Sequence, residues 1–213
     1  MTGQSKIKHN RLIKKAEDLF LKYGYSRVSV DQIAFEAGVS KMTLYKHFHS
    51  KENLFIEVMK NQAEYHYKII MEIINKNYHA IEKVEAFYTY LHQLAVQFPP
   101  ILTRDIFEHP SLMEQIKDIK IAMAENMWRC ILEDGIKKGE IRPLDVDFVC
   151  QLLLGLPQVF MNVDYFDEET KMSEFIKKLF DFMKYGMLGD VRDHKSTGIK
   201  EGIEDAGKYT HEG

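Results

Sequence analysis

The stretch SVDQIAFEAGVSKMTLYKHFHSKENL, residues 29–54, decides the fold. Ser29 and Gln32 have the S-x-x-Q spacing of a capping box, in which two side chains satisfy free amides at a helix start. The helix they open runs to about Ala37, because Gly38 accepts the left-handed conformation that ends a helix and turns the chain. Val39 then fills the angle between helices, and Ser40 caps a second, short helix over 41–47. Ser50 caps a third, with Glu52 in the first turn, where the helix dipole favours a carboxylate. Within the short helix Leu44 and Phe48 share the inward face at i and i+4, which leaves Lys41, Met42, Thr43, Tyr45, Lys46 and His47 outward. A short, lysine-bearing helix held at a tight turn is a device for reading DNA.

Charge distribution agrees. The net charge of the 213 residues is only −3, but residues 1–60 hold 11 Lys/Arg against 6 Asp/Glu, a net of +5. Residues 61–213 hold 18 against 26, a net of −8. One end is suited to phosphate and the other to staying off it. Cys130 and Cys150 lack metal-ligand spacing and sit in apolar helical patterns, as reduced core thiols of a cytoplasmic protein do. No signal-like start and no apolar run of about 18 residues is present, so no membrane partner is expected.

Working outward, the chain reads as all-α. Leu12, Ala16, Leu19, Phe20 and Tyr23 form the stripe of a first helix, ended by Gly24. A long helix from 51 to about 76 carries Leu54, Phe55, Val58, Met59, Gln62 and Tyr65, and another spans about 80–97 before Pro99-Pro100. A short helix near 101–108, a long one over 111–138, one from about 145 to 163 and a last one over about 170–187 follow. The divisions expected are a helix-turn-helix DNA-binding head over 1–50, an effector-binding and dimerisation body over 51–189, and a polar tail over 190–213.

Tyr23-Gly24-Tyr25, Val28 to Ala34, Ala37-Gly38-Val39-Ser40, Leu44 to Phe48 and Ser50-Lys51-Glu52 together resemble the TetR family of bacterial transcriptional regulators, over about residues 8–55. Met42 departs from the glycine that many members carry, so base preference does not transfer. The resemblance implies about nine helices, three in the head and six in the body. It also implies a homodimer on a palindromic operator, and repression relieved when a small molecule enters the body. The dimer would join through the last two long helices, with Phe148, Leu152, Leu156, Val159, Phe175, Leu179 and Phe182 at the interface. The helix over 145–163 supports this from its own composition, since it is apolar on more than one face and needs burial on several sides; a central core helix is the alternative.

On the head, Lys41, Thr43 and Lys46 suit base edges or nearby phosphates, and Tyr45 and His47 suit phosphates; Tyr45 also suits partial core packing. Met42 stands on the same helix. Lys51 beside a helix amino end is an expected phosphate anchor, and Ser29 and Gln32 can add phosphate contacts beyond capping. Lys6, Lys8 and Arg11 form either an arm on the DNA or a frayed terminus. In the body Tyr65, Phe87, Tyr88, Leu91, His92, Met123, Met127, Trp128 and Phe160 are candidates to line a pocket for an apolar or amphipathic effector, or else plain core. The helix from Lys51 links the two, so tilting it would change the spacing of paired recognition helices. Hydrolase, zinc-protease, P-loop and dinucleotide fingerprints are absent, and His47-x-His49 lacks a third ligand. Neither catalytic residues nor a metal or cofactor are expected. The second reading is a DNA-bound scaffold that recruits a protein; a filled core with an exposed apolar patch would favour it.

Overall fold

Helix stops and starts in this chain are set by a few residues whose backbone needs are plain in the sequence. The computed structural model describes residues 3–161 together with Glu174, Lys177, Lys178 and Asp181, apart from the side chains of Val96 and 156–161. The described residues form eight α-helices and no strand. They are α1 (Gly3–Tyr23), α2 (Val30–Glu36), α3 (Lys41–Phe48), α4 (Lys51–Ile74), α5 (Ala80–Gln97), α6 (Pro100–Glu108), α7 (Pro110–Lys137) and α8 (Val146–Met161). Ser29, Ser40 and Ser50 cap α2, α3 and α4 through their side-chain oxygens. Pro100 and Pro110 open α6 and α7, where a missing N–H costs nothing. Gly24, Gly38 and Gly139 follow helix ends with φ of 83°, 62° and 71°. The helix expected over 170–187, the tail, the side chains of Leu156, Val159 and Phe160, and the expected interface residues Phe175, Leu179 and Phe182 lie outside the described residues.

Two hydrophobic cores are built on this frame. The first gathers Leu12, Ala16, Leu19 and Phe20 of α1, Ile33 and Ala34 of α2, and Leu44 and Phe48 of α3. It continues into Leu54, Phe55, Val58 and Met59 of α4, Leu102 and Ile106 of α6, and Leu112 and Ile116 of α7. The head's packing therefore runs well past residue 50. Tyr23, expected on the stripe of α1, is 39% exposed, because the turn at Gly24 swings Tyr25 into the core in its place. The Tyr25 ring packs 4.9 Å from Phe55 and 5.9 Å from Phe20.

The second core joins Ile70 and Ile74 of α4, Val84, Phe87 and Tyr88 of α5, Met127, Trp128, Ile131 and Leu132 of α7, and Val149, Cys150 and Leu153 of α8. Cys130 is half-buried beside it. Two helices, α4 and α7, run side by side in the same direction through both cores. Glu52 accepts hydrogen bonds from Ser111 and Gln115 at one end, and Asn126 donates to the Tyr67 hydroxyl further along. At the far edge of the second core, where Ala80, Val84 and Ile141 are buried, the start of α5 is held on the end of α7. There the buried Lys83 donates to Asp134, and Glu140 accepts from the Ala80 amide at 2.7 Å.

Gly24 and Gly139 share a left-handed backbone but differ in surroundings. A Cβ on Gly24 collides with the Asp105 carboxylate and Ile101, whereas one on Gly139 meets nothing within 4 Å. Gly139→Ala is expected to cost about 1 kcal/mol from backbone strain alone. Gly24→Ala is expected to cost about 2–4 kcal/mol, since the collision adds to the strain. Urea unfolding of the two variants checks the difference, and equal costs contradict the packing described here.

Candidate nucleic-acid interface

The exposed face of α3 is produced by the two turns that bracket it. Gly38 donates to the Phe35 carbonyl at 3.0 Å and Val39 to that of Ala34 at 3.0 Å, which sets α3 across α2. The Ser40 oxygen then accepts from the Thr43 amide at 3.1 Å. The Ser29 oxygen likewise accepts from the Gln32 amide at 3.1 Å; the reciprocal side-chain bond from Gln32 is not formed, so only half of the expected capping box exists. At the far end His49 takes a φ of 55° and its N–H caps the Tyr45 carbonyl. Leu44 and Phe48 are buried, Thr43 and His47 are half-buried, and Lys41, Met42, Tyr45 and Lys46 are exposed. Those four lie at i, i+1, i+4 and i+5, one face of one helix. Met42, 82% exposed, is the most prominent.

The polar members of this face are not equivalent. Lys41 donates to Asp31 at 2.9 Å, and that hydrogen bond and charge raise its pKa, so part of its charge is answered from α2. Thr43 shares a 2.9 Å hydroxyl contact with Ser40. His47 is held below the ordinary histidine value by burial first, and then by the charges of His9, Lys46 and Lys8. Lys46 is exposed with its charge unanswered by any ion pair among the described residues, which makes it the freest donor on the face. Lys6, Lys8 and Arg11, expected as an arm or a frayed end, stand exposed on α1, which is helical from Gly3. Stacking of His9 on the Phe48 ring at 4.7 Å ties this helix to α3.

Lys51 has a different place from the one expected. Its ammonium donates to the carbonyls of Tyr25 at 3.0 Å and Val28 at 3.2 Å and lies 4.1 Å from the centre of the Tyr25 ring. Burial lowers its pKa, an effect that Asp105 partly offsets. Two of its three protons thus serve the turn between α1 and α2. Spacing rules missed Asp105 altogether. It is 3% exposed, accepts from the Ser26 amide at 3.1 Å, and reaches the head from α6 across 79 residues of sequence, a distance no local pattern covers.

Of the residues expected around an effector, Phe87, Tyr88, Met127 and Trp128 are buried together, with the Phe87 and Trp128 rings 5.6 Å apart. Leu91 and Met123 are half-buried, while Tyr65 and His92 are exposed, Tyr65 by 60%. Phe148 and Leu152, expected at a dimer interface, are 66% and 37% exposed. No group of three His, Cys, Asp or Glu able to hold a metal occurs among the described residues, and none of their helices is long and apolar enough to cross a membrane.

Residues 12–58 match the family described as bacterial regulatory proteins, tetR family. The HTH-type transcriptional activator FasR of Mycolicibacterium smegmatis is 25% identical over 67% of this chain and 67% of its own length. The HTH-type transcriptional repressor KstR2 of the same organism is 27% identical over 71% of this chain and 76% of its own. Among solved structures, the transcriptional regulator FadR of Bacillus subtilis in complex with stearoyl-CoA superposes with a TM-score of 0.59 at 23% identity, over 84% of this chain and 98% of that one. That likeness is one of fold.

The two lysines should separate in the laboratory. Lys46→Ala is expected to weaken binding to a preferred duplex by about 1–3 kcal/mol and to leave the melting temperature unchanged. Lys51→Met removes two carbonyl partners and is expected to lower the melting temperature as well as the affinity. Fluorescence anisotropy beside thermal unfolding reads both; a Lys51→Met protein as stable as the wild type contradicts the inward assignment. For His47 the depressed pKa leaves the ring neutral at pH 7, and phosphate favours its charged form, so binding takes up a proton. Affinity should rise as pH falls from about 7.5 to 5.5, and the rise should shrink in His47→Gln.

Proposed function

We propose that this chain, a TetR-family transcriptional regulator by the domain in its residues 12–58, is a homodimeric repressor that leaves a palindromic operator when a small apolar or amphipathic effector enters its body. The observation that carries the DNA reading is the capped helix α3, which turns Lys41, Met42, Tyr45 and Lys46 outward while Leu44 and Phe48 anchor it in the first core. Lys46 then reads a base edge or neighbouring phosphate, and Tyr45 and His47 set register on the backbone. Relatives named activator and repressor both occur, so the sign of regulation rests on the family's commoner habit.

Dimerisation is supported by α8. Val149, Cys150 and Leu153 are buried against the second core, while Phe148 and Leu152, one turn apart, present apolar surface on the other side. A partner chain covering that face would set two copies of α3 about one DNA turn apart. Release follows when an effector favours a body shape in which that spacing is wrong, and it can do so only by its affinity difference between the two shapes. Two routes lead from body to head: α4, whose first turns lie in the head core, and α6, whose Asp105 holds the turn before α2. A DNA-bound scaffold that recruits a protein is the second reading, favoured by the packed cluster of Phe87, Tyr88, Met127 and Trp128. Its mark would be tight operator binding that no small molecule relieves.

Selection of bound duplexes from a random pool should enrich an inverted repeat with half-sites about one helical turn apart. No enrichment over bulk DNA overturns the regulator reading. Phe148→Glu with Leu152→Glu should shift light scattering from a pair of 25.0 kDa chains to one chain and abolish binding to the full repeat. A double variant that remains paired removes α8 from the interface.

A further inference from the structure

The first turn of a recognition helix is the part that meets base edges. In α3 that turn holds Lys41, Met42 and Thr43. Two of the three are already engaged within the protein. The Lys41 ammonium is drawn back toward α2 by Asp31 at 2.9 Å, and the Thr43 hydroxyl lies 2.9 Å from that of Ser40. Met42, between them in sequence, belongs to neither hydrophobic core and is 82% exposed. The side chain with the fewest ties in this turn is therefore an apolar one.

A single exposed apolar residue is ordinary on a protein surface. Its place on this face is what makes Met42 informative. Helix propensity alone does not select it, because Lys, Arg, Gln and Glu form helices about as well and expose less apolar surface. Its side chain is unbranched and polarisable, and adapts to an irregular contact. It can neither donate a hydrogen bond nor attract a phosphate, so holding register on the DNA backbone is not its role. The edges of the major groove carry donors, acceptors and one apolar group, the C5-methyl of thymine. Packing that methyl on the thioether removes apolar surface of both from water, the favourable exchange open to Met42 in the groove. Lys46 lies one turn on at i+4, so the two share a ridge with Cβ atoms about 5–6 Å apart. At about 3.4 Å of rise per base pair, they address positions one or two base pairs apart.

We infer that Met42 is a specificity-determining residue, packing on the C5-methyl of one thymine in each half-site, close to the contact of Lys46. A glycine at this position, with no side chain, could not make that contact. The inference rests on the reading of α3 as the DNA-recognition helix and names a base that this helix selects.

Deoxyuridine is the probe, since it lacks only that methyl and keeps the pairing and hydrogen-bonding groups of thymine. Each thymine of the selected duplex is replaced in turn, symmetrically in both half-sites, and binding of the full chain is read by fluorescence anisotropy. At one thymine per half-site the replacement should weaken binding roughly tenfold, about threefold for each methyl lost. Met42→Gln keeps an unbranched side chain of similar length at an exposed position, and that variant should bind the thymine and uracil duplexes alike. Met42→Leu should retain most of the preference for thymine, with circular dichroism confirming that both variants are folded. Sensitivity to uracil that survives undiminished in folded Met42→Gln overturns the assignment. An enriched duplex without any uracil-sensitive thymine also overturns it and leaves the regulator reading standing, whereas failure to enrich any duplex overturns both.

Discussion

Asp105 is the point on which head and body meet. Its carboxylate leaves α6, fills the space beside Gly24 where no Cβ fits, and accepts the Ser26 amide at 3.1 Å. Burial alone would raise its pKa; bonds from the amide and hydroxyl of Ser26, the amide of Tyr25 and the charge of His109 outweigh that and leave it below the ordinary carboxylate value. Such a group stabilises the fold above its unfolded pKa and loses that contribution only as pH falls below about 4. His109 Nδ1 sits 2.7 Å from the Asp105 carbonyl and its ring meets that of Tyr25 at 5.2 Å. From the opposite side Lys51 binds the Tyr25 and Val28 carbonyls. The turn that orients α2, and through it α3, is therefore clamped by α6 and by α4.

This clamp gives the separation of the two cores a meaning. A chain with one continuous core would resist any change at its centre, because close packing transmits strain without yielding. Here a half-open layer lies between a core that carries the DNA-facing helix and a core beside the exposed face of α8. Both α4 and α7 cross that layer, and α6 joins them at the head side. In the proposed regulator, an effector held among these helices acts on the rods that hold the clamp. Shifts of about an ångström at such contacts suffice in known switches, since packed interfaces have discrete rather than continuous arrangements.

How much of this was legible in the sequence depended on the range of the interaction. Ser40, Gly38 and the Leu44/Phe48 pair announced α3 because capping, turning and helical period act within four residues. Pro100, Pro110 and Gly139 marked helix ends for the same reason. Long-range placement was not readable. Tyr25 displaces Tyr23 from the core because of Phe55, 30 residues on, and Asp105 reaches Ser26 from a helix whose own pattern looks ordinary. Lys51 looked like an anion anchor from its position at a helix start; its inward turn depends on carbonyls contributed by a distant turn. Phe87, Tyr88, Met127 and Trp128 stood out in the sequence as large and apolar, yet those are the properties of plain core, and together they form it.

The central claim is that the body holds the reading head in place through Asp105, and operator affinity of Asp105→Ala measures it most directly. The side chain is far from the exposed face of α3 in sequence and shares no contact with Lys41, Met42, Tyr45 or Lys46 among the described residues. Anisotropy titration well below the melting temperature should show a folded protein whose affinity for its selected duplex falls about tenfold or more, with an unchanged salt slope, because no phosphate contact is lost. Unchanged affinity in a folded Asp105→Ala protein would contradict the claim and leave the head to act without the body's hold.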